Sequence, residues 1–385
     1  MSNSFIPHRL AFNIFSTFLV IGAYVPFLPV WLEGRGISNE EIGLIFAVAL
    51  WAKIPVGLLV SSISDQTGDR KKTLIVVGVI TFAGFCVFPY LNGFWQLLIA
   101  WGIVGTLLTT LIPIADSLAV IAIKRTQMDY GRVRLWGSVA FILVSILGGY
   151  YLEGKSHEAV LHIILVGAVF IVISALVVPN LREEPRKGQK LALFELLKVP
   201  SFVVFVLTAA VLQASHAALY GFATLHWIEA GVNKTIIGFL WAEGVVAEIA
   251  LFTFSTYLLK RLGVSGLLLL AGVAGIVRWA VLGYTTALPA LIIVQALHAF
   301  TFAGTLIASI GFISERVPKD QVATAQGLYD GLAMGFIFGI AMAIAGWAYA
   351  DMGARVFYVM IMFSAFGCVG ALILHRMINQ TSKVH

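Results

Sequence analysis

Long apolar runs alternate with short polar stretches along this chain. The pattern predicts spans at 9–33, 39–63, 71–91, 94–124, 130–152, 158–179, 200–229, 234–260, 265–286, 288–316, 320–350 and 353–378. A helix crosses a hydrocarbon core with about 20 apolar residues, a β-strand with about 10. The runs are too long for barrel strands, so the expected fold class is an all-α polytopic membrane protein whose backbone polar groups are satisfied inside each helix. The fourth, seventh, tenth and eleventh runs are long enough to tilt or to extend past the hydrocarbon. Twelve spans take up about 264 residues, and the remainder serves loops and tails without room for a separate soluble domain.

Composition agrees with a bilayer as solvent. Of 385 residues, 60% are hydrophobic and 11% charged, with a mean hydropathy of +0.96. Soluble domains carry about 25% charged residues. A soluble enzyme, a nucleic-acid-binding domain and a disordered chain are all excluded on this ground. The net charge of +6 reflects loop basicity rather than a nucleic-acid partner. Nineteen Lys and Arg, among them Arg9, Arg70 to Lys72, Lys124, Arg125 and Lys260, fall on one side of the predicted spans; only Arg35, Lys155, Lys234 and Arg355 fall on the other. That bias puts both termini in the cytoplasm, and the expected location is a bacterial inner membrane. Cys86 and Cys368 lie in apolar runs, so neither a disulfide framework nor a metal site is expected. The first apolar run continues past the length of a signal h-region, so no cleavable signal peptide is expected.

The longest connection, residues 180–199, divides the chain six spans to six. The expected organisation is a six-helix bundle over 1–180, a cytoplasmic linker over 181–199 and a second bundle over 200–385. An internal repeat marks the halves. Tyr24-x6-Trp31-x-Glu33 precedes Ile42-Gly43, and Tyr220-x6-Trp227-x-Glu229 precedes Ile237-Gly238. Two six-helix halves of matching hydropathy order resemble the major facilitator transporters, whose substrate site lies near the midplane. Between spans two and three, Asp65-Gln-Thr-Gly68-Asp-Arg70-Lys71-Lys72 resembles that superfamily's signature, with Ser61 in place of its leading Gly. The resemblance implies a gating role for Asp65, Gly68, Arg70 and Lys71; the other reading is an ordinary basic loop. The corresponding loop of the second half, Lys260-Arg261-Leu-Gly263, lacks the Asp.

Charges inside a bilayer are costly and mark function. Here they are Lys53, Asp116, Arg134, Glu243, Glu248, Arg278 and Asp330, joined by His162, His216 and His298. Counting 1.5 Å per residue, Lys53 and Asp330 match in depth, and an ion pair is expected, as a tie or a proton switch. Asp116 and Arg134 also match. Asp116-x17-Arg134 and Arg278-x19-His298 resemble the lactose permease family, where such residues hold sugar hydroxyls and couple the proton. The departures are Thr301 for the coupling Glu, Phe141 for the stacking Trp, and Asp116 for a Glu. A closer resemblance is to the phenylpropionate permease family, carried by Gln213-Ala-Ser-His216-Ala-Ala-Leu-Tyr220-Gly, Gly238-Phe-Leu-Trp241, Gly244-Val-Val-Ala-Glu248, Val277-Arg278-Trp279 and Tyr130-Gly-x-Val-Arg134-Leu-Trp-Gly. It implies proton-linked uptake of an aromatic monocarboxylate.

Gln213, His216 and Tyr220 fall on one helix face, to grip a substrate or to bond between helices. Arg134 and Arg278 can hold a carboxylate by paired bonds. Phe27, Phe141, Trp241 and Trp279 are candidate stacking surfaces. Glu248 leads the candidate proton carriers and Glu243, at the depth of His298, comes second. The expected function is a proton-coupled symporter acting as a monomer by alternating access, with a small molecule and protons as partners and no cofactor. The alternatives are a sugar or nucleoside symporter, favoured by the carboxylate of Asp116, and an efflux pump of the same fold. No phosphate loop or zinc motif supports an enzyme, and the two-fold repeat argues against a channel filter.

Overall fold

The computed structural model describes residues 5–182 and 193–381; residues 183–192, in the middle of the expected linker, lie outside the described residues. No strand occurs among the described residues. Eleven helical segments among them are apolar and long enough to cross a bilayer. The last, Val322–Gln380, is 59 residues long, more than two spans of about 20–25 residues need. It turns back at Gly353 (φ 56°), so it supplies the eleventh and twelfth predicted spans.

The first six helices are α1 (Ile6–Gly34), α2 (Asn39–Thr67), α3 (Arg70–Val87), α4 (Phe94–Thr126), α5 (Tyr130–Leu152) and α6 (Ala159–Val177). Three of them, α2, α3 and α5, start at side-chain caps. Ser38 and Glu41 form a reciprocal capping box at α2, Asp69 accepts from the Lys72 amide at α3, and Asp129 accepts from the Arg132 amide at α5. Each cap satisfies amides that a helix N-terminus leaves unpaired. A short helix α7 (Leu193–Leu197) precedes α8 (Pro200–Ala214), α9 (Ala217–Glu229), α10 (Lys234–Thr253), α11 (Ser255–Tyr284), α12 (Leu288–Ala296), α13 (Thr305–Arg316), α14 (Val322–Gly331), α15 (Ile337–Met352) and α16 (Val356–Thr381). The second set is less regular. The seventh span breaks at Ser215–His216 between α8 and α9. The tenth carries a π-helical segment at Ala299–Gly304, and the eleventh another at Leu332–Phe336.

The chain divides into two compact units: Met1–Gln189 with Gly231–Ala242, and Lys190–Ala230 with Glu243–His385. In the first, α1 packs along α5 and α6, α2 along α4, and α3 against both α4 and α6. An aromatic cluster fills its interior, with the Trp101 ring 5.0 Å from Tyr24 and 5.7 Å from Phe46. The opening residues of α10 belong to this unit. Lys234 Nζ donates to the carbonyls of Leu152 (3.2 Å) and Lys155 (3.0 Å), and the Thr235 amide donates to Glu153. In the second unit, α11 packs along α16 and α13, and α16 along α8. Phe205 and Phe312 stack there at 4.1 Å. Leu58, Trp95, Ile99, Ile293 and Phe366 are exposed. Apolar surface on this scale has lipid as its natural neighbour.

One polar hub ties the ends of α1, α3 and α6. All five guanidinium N–H groups of Arg35 are used. Nε and one Nη2 hydrogen meet Glu158 at 2.5 and 3.0 Å. The others meet the Pro89 carbonyl (3.0 Å), the Leu91 carbonyl (3.3 Å) and Asn92 Oδ1 (3.1 Å). Trp31 Nε1 also donates to Glu158 at 3.1 Å. Burial pushes the Glu158 carboxyl up, but the hydrogen bonds from Arg35 and Trp31 outweigh it and hold the group below its ordinary range.

A depressed carboxyl pKa stabilises the fold above the unfolded value of about 4.3, and that contribution is lost as pH falls through the folded value. Thermal unfolding in detergent should therefore show Glu158→Gln less stable than wild type at pH 7. The gap should close below about pH 4. A gap that stays constant between neutral and acid pH overturns the assignment.

Candidate functional site

The second unit contains a buried polar network centred on Arg278 of α11, which is fully buried. Its Nη1 donates to His298 Nδ1 at 2.8 Å and to Thr301 Oγ1 at 3.0 Å. Its Nη2 donates to Gln295 Oε1 at 2.6 Å. A guanidinium is always charged and only donates, so His298 Nδ1 must be bare. The remaining ring hydrogen is then on Nε2, which points at Glu248 Oε1, 2.8 Å away. His298 is thus the neutral tautomer that links the cation to the carboxylate. The same logic fixes His216, whose Nδ1 faces the Gln213 carbonyl at 3.0 Å and so carries the hydrogen. Its Nε2 accepts from the Thr301 hydroxyl at 2.9 Å. Thr301 therefore accepts from Arg278 and donates to His216. Two polarised branches leave Arg278, one ending at Glu248 and the other at the backbone of Gln213.

Irregular backbone positions these groups. His216 lies in the break between α8 and α9, and Thr301 in the π-helical segment that follows His298. Such segments commonly mark functional sites. Gly244 of α10 provides the flat surface for His298. A Cβ there would stand 3.2 Å from the imidazole. Gly244 and Glu248 share a helix face at i, i+4, whereas Glu243 is turned about 100° away from Gly244. Glu243 thus matches His298 in depth along the axis but is turned away around it, and the carboxylate that meets His298 is Glu248. Glu243 is half-buried and within electrostatic reach of Arg278. Arg278 Nε and Gln213 Oε1 are buried without a hydrogen-bond partner among the described residues.

Gln213 Nε2 lies within reach of the Tyr329 hydroxyl (3.4 Å) and the Phe302 carbonyl (3.5 Å). Tyr220 is half-buried and stacks on His216 and Phe338. Gln213, His216 and Tyr220 are thus brought together despite the helix break, with protein groups as their partners. Trp279 is fully buried in packing, bonded to Ser364 Oγ at 3.0 Å and stacked on Phe357.

In the first unit, Asp116 of α4 accepts a short hydrogen bond from the Tyr130 hydroxyl and lies within electrostatic reach of Arg134. The Arg134 guanidinium sits over the Phe18 ring, 4.5 Å from its centroid, and is half-buried. Phe141 and Phe27 are buried. Trp241, also buried, belongs by its contacts to this unit. Lys53 is half-buried on α2, and Asp330 is exposed near the end of α14. At the signature loop, Gly68 ends α2 at φ 62°. Buried Arg70 bonds Ser117 Oγ (2.7 Å) and Asp65 (3.1 Å). Lys71 bonds the Leu176 carbonyl (2.7 Å). Asp69 receives Arg182 at 2.8 Å, and its carboxyl is held below the ordinary range, first by the Lys72 amide.

Sequence reasoning missed Gln295, Tyr130 and Phe18, and it read Thr301 only as the loss of a carboxylate. A signal was present. Gln295, His298 and Thr301 recur at three-residue spacing in an otherwise apolar run, as residues on one helix face do.

A model of the MFS_1 like family matches residues 8–360 of the chain. The chain is 33% identical to the "Probable 3-phenylpropionic acid transporter" of Escherichia coli (strain K12), over 91% of this chain and 93% of that one. It is 24% identical to the lactose permease of Klebsiella oxytoca, over 91% of this chain and 88% of the permease. Among solved structures it is similar to the nucleoside transporter NupG, with a TM-score of 0.81 at 17% identity, covering 97% of this chain and 99% of that one.

Thr301→Val should strand one Arg278 hydrogen and His216 Nε2, at a cost of about 1–3 kcal/mol. Thr301→Ser should retain most of the stability. Unfolding midpoints in detergent test this, and a Val variant as stable as wild type overturns the linking role.

Proposed function

The chain belongs to the MFS_1 like family and is a secondary transporter of the major facilitator fold, not an enzyme; on that premise we propose that it imports an aromatic monocarboxylate, such as 3-phenylpropionate, together with protons. It does so by alternating access, as a monomer, in a cytoplasmic membrane with both termini inside. The relative at 33% identity, named for 3-phenylpropionic acid, supports the substrate class. The observation that carries the reading is the contrast between the two arginines. Arg278 is sealed, with Nη1 and Nη2 given to protein acceptors. Arg134 is half-buried on an aromatic face, which suits a substrate with a carboxylate at one end and a ring at the other.

Coupling falls to the Glu248 branch. A proton taken by Glu248 removes the charge that faces His298, and Arg278 loses its compensating anion. A coupled binding site needs this kind of link between charge state and a buried cation. Glu243 is the second carrier. Lys53 and Asp330 stay in the proposal as the charge pair of matched depth, and Asp65, Gly68, Arg70 and Lys71 as the gating loop. Asp116 favours a second reading, a neutral sugar or nucleoside, because a carboxylate beside Arg134 repels an anion.

Arg134→Ala should abolish uptake into proteoliposomes while the purified protein keeps its unfolding midpoint; normal uptake overturns the assignment. Glu248→Gln should keep exchange of labelled substrate but lose accumulation under an imposed pH gradient. Accumulation by that variant places the proton carrier elsewhere. The same assay, offered phenylpropionate, cinnamate, disaccharides and nucleosides, separates the two substrate readings.

A further inference from the structure

A cavity lies away from both polar sites. It measures about 480 Å³ and is formed by the start of α1, the start of α3 and the residues that end and follow α6. This is in the range of small-ligand pockets, roughly 300–1,000 Å³. Its lining has two characters. Phe5, Ile6 and Leu181 give it an apolar wall, and Arg9 and Lys71 give it two positive charges. Among the described residues, no acidic side chain lines it. Lys71 spends one donor on the Leu176 carbonyl, which fixes the ammonium at the cavity wall and leaves it two more hydrogens. The bond also covers a carbonyl at the end of α6 that would otherwise repel an anion.

The cavity lies where three spans end and basic loops begin. The charge bias puts this face on the cytoplasmic side. We propose that the cavity holds the phosphodiester headgroup of an anionic phospholipid, with the phosphate between Arg9 and Lys71 and the first carbons of the acyl chains against the apolar wall. A soluble phosphate ester shares the anionic chemistry but has nothing to place on that wall. A zwitterionic lipid shares the apolar part but brings a cation of its own. The site is independent of which substrate the transporter moves.

Native mass spectrometry of the purified full-length protein, titrated with phosphatidylglycerol, tests this. Wild type should bind phosphatidylglycerol in preference to phosphatidylcholine. Arg9→Gln with Lys71→Gln should weaken that binding about thirtyfold, roughly fivefold for each basic side chain near an anionic surface. Arg9→Lys with Lys71→Arg should restore it, and Lys72→Gln, at an exposed neighbour outside the lining, should leave it within about twofold. If the double variant fails to fold, each single variant should show its own fivefold loss. Equal binding of phosphatidylcholine, unchanged binding by the neutralised variants, or sn-glycerol 3-phosphate binding as tightly as the lipid each overturns the proposal.

Discussion

A guanidinium that never loses its proton sits in a protein whose surrounding solvent offers no hydrogen bonds. Burying such a charge unaided costs far more than a fold can spare, so the second unit is organised around Arg278. Its donors recruit Gln295, His298 and Thr301. Those partners set the tautomers of two histidines, and the tautomers decide that Glu248 lies at the end of the chain of bonds. None of these partners can change without consequence for the next. The proposed coupling at Glu248 therefore rests on a directional network rather than on any single charged residue.

The two units solve the polar problem differently. The first keeps long, regular helices and gathers its bonds at helix ends, at Arg35 on one face and at Arg70 and Asp69 on the other. Its interior charges, Asp116 and Arg134, stay half-buried and share Tyr130 and Phe18. The second unit breaks its helices where polar groups must meet. His216 and Thr301 reach each other because α8–α9 and α12–α13 are not ideal helices. A regular backbone suits a site that must admit a guest, and an irregular one suits a cation that must be enclosed.

The spans and the fold class were legible because hydropathy over some twenty residues is a bulk property, insensitive to local detail. The turn at Gly353 and the helix starts at Ser38 and Asp69 were written in local residue chemistry too. The site was legible only in part. Arg278, His298, Glu248 and His216 stand out as polar residues in apolar runs, and the structure joins all four. The sequence already ranked Glu248 ahead of Glu243, but that His298 is its partner depends on the angle of α10 about its own axis, which shows once His298 is packed against Gly244. The π-helical segments were invisible, since nothing in the hydropathy of Ala299–Gly304 or Leu332–Phe336 sets them apart from ordinary helix. Asp116 meets Tyr130 through a bond that depth-matching of charges does not look for.

The saturation of Arg35 bears on how this lineage can vary. Its hydrogens fix two carbonyls and one side chain within residues 89–92, along with a carboxylate beyond the next two spans. Lysine has too few donors to replace it. A one-residue insertion anywhere in that short connection would carry a carbonyl out of reach. The turn around Gly154, on the same face, is pinned as well, by Lys234 on the Leu152 and Lys155 carbonyls and by the Thr235 amide on Glu153. Both connections should therefore keep a constant length through evolutionary time.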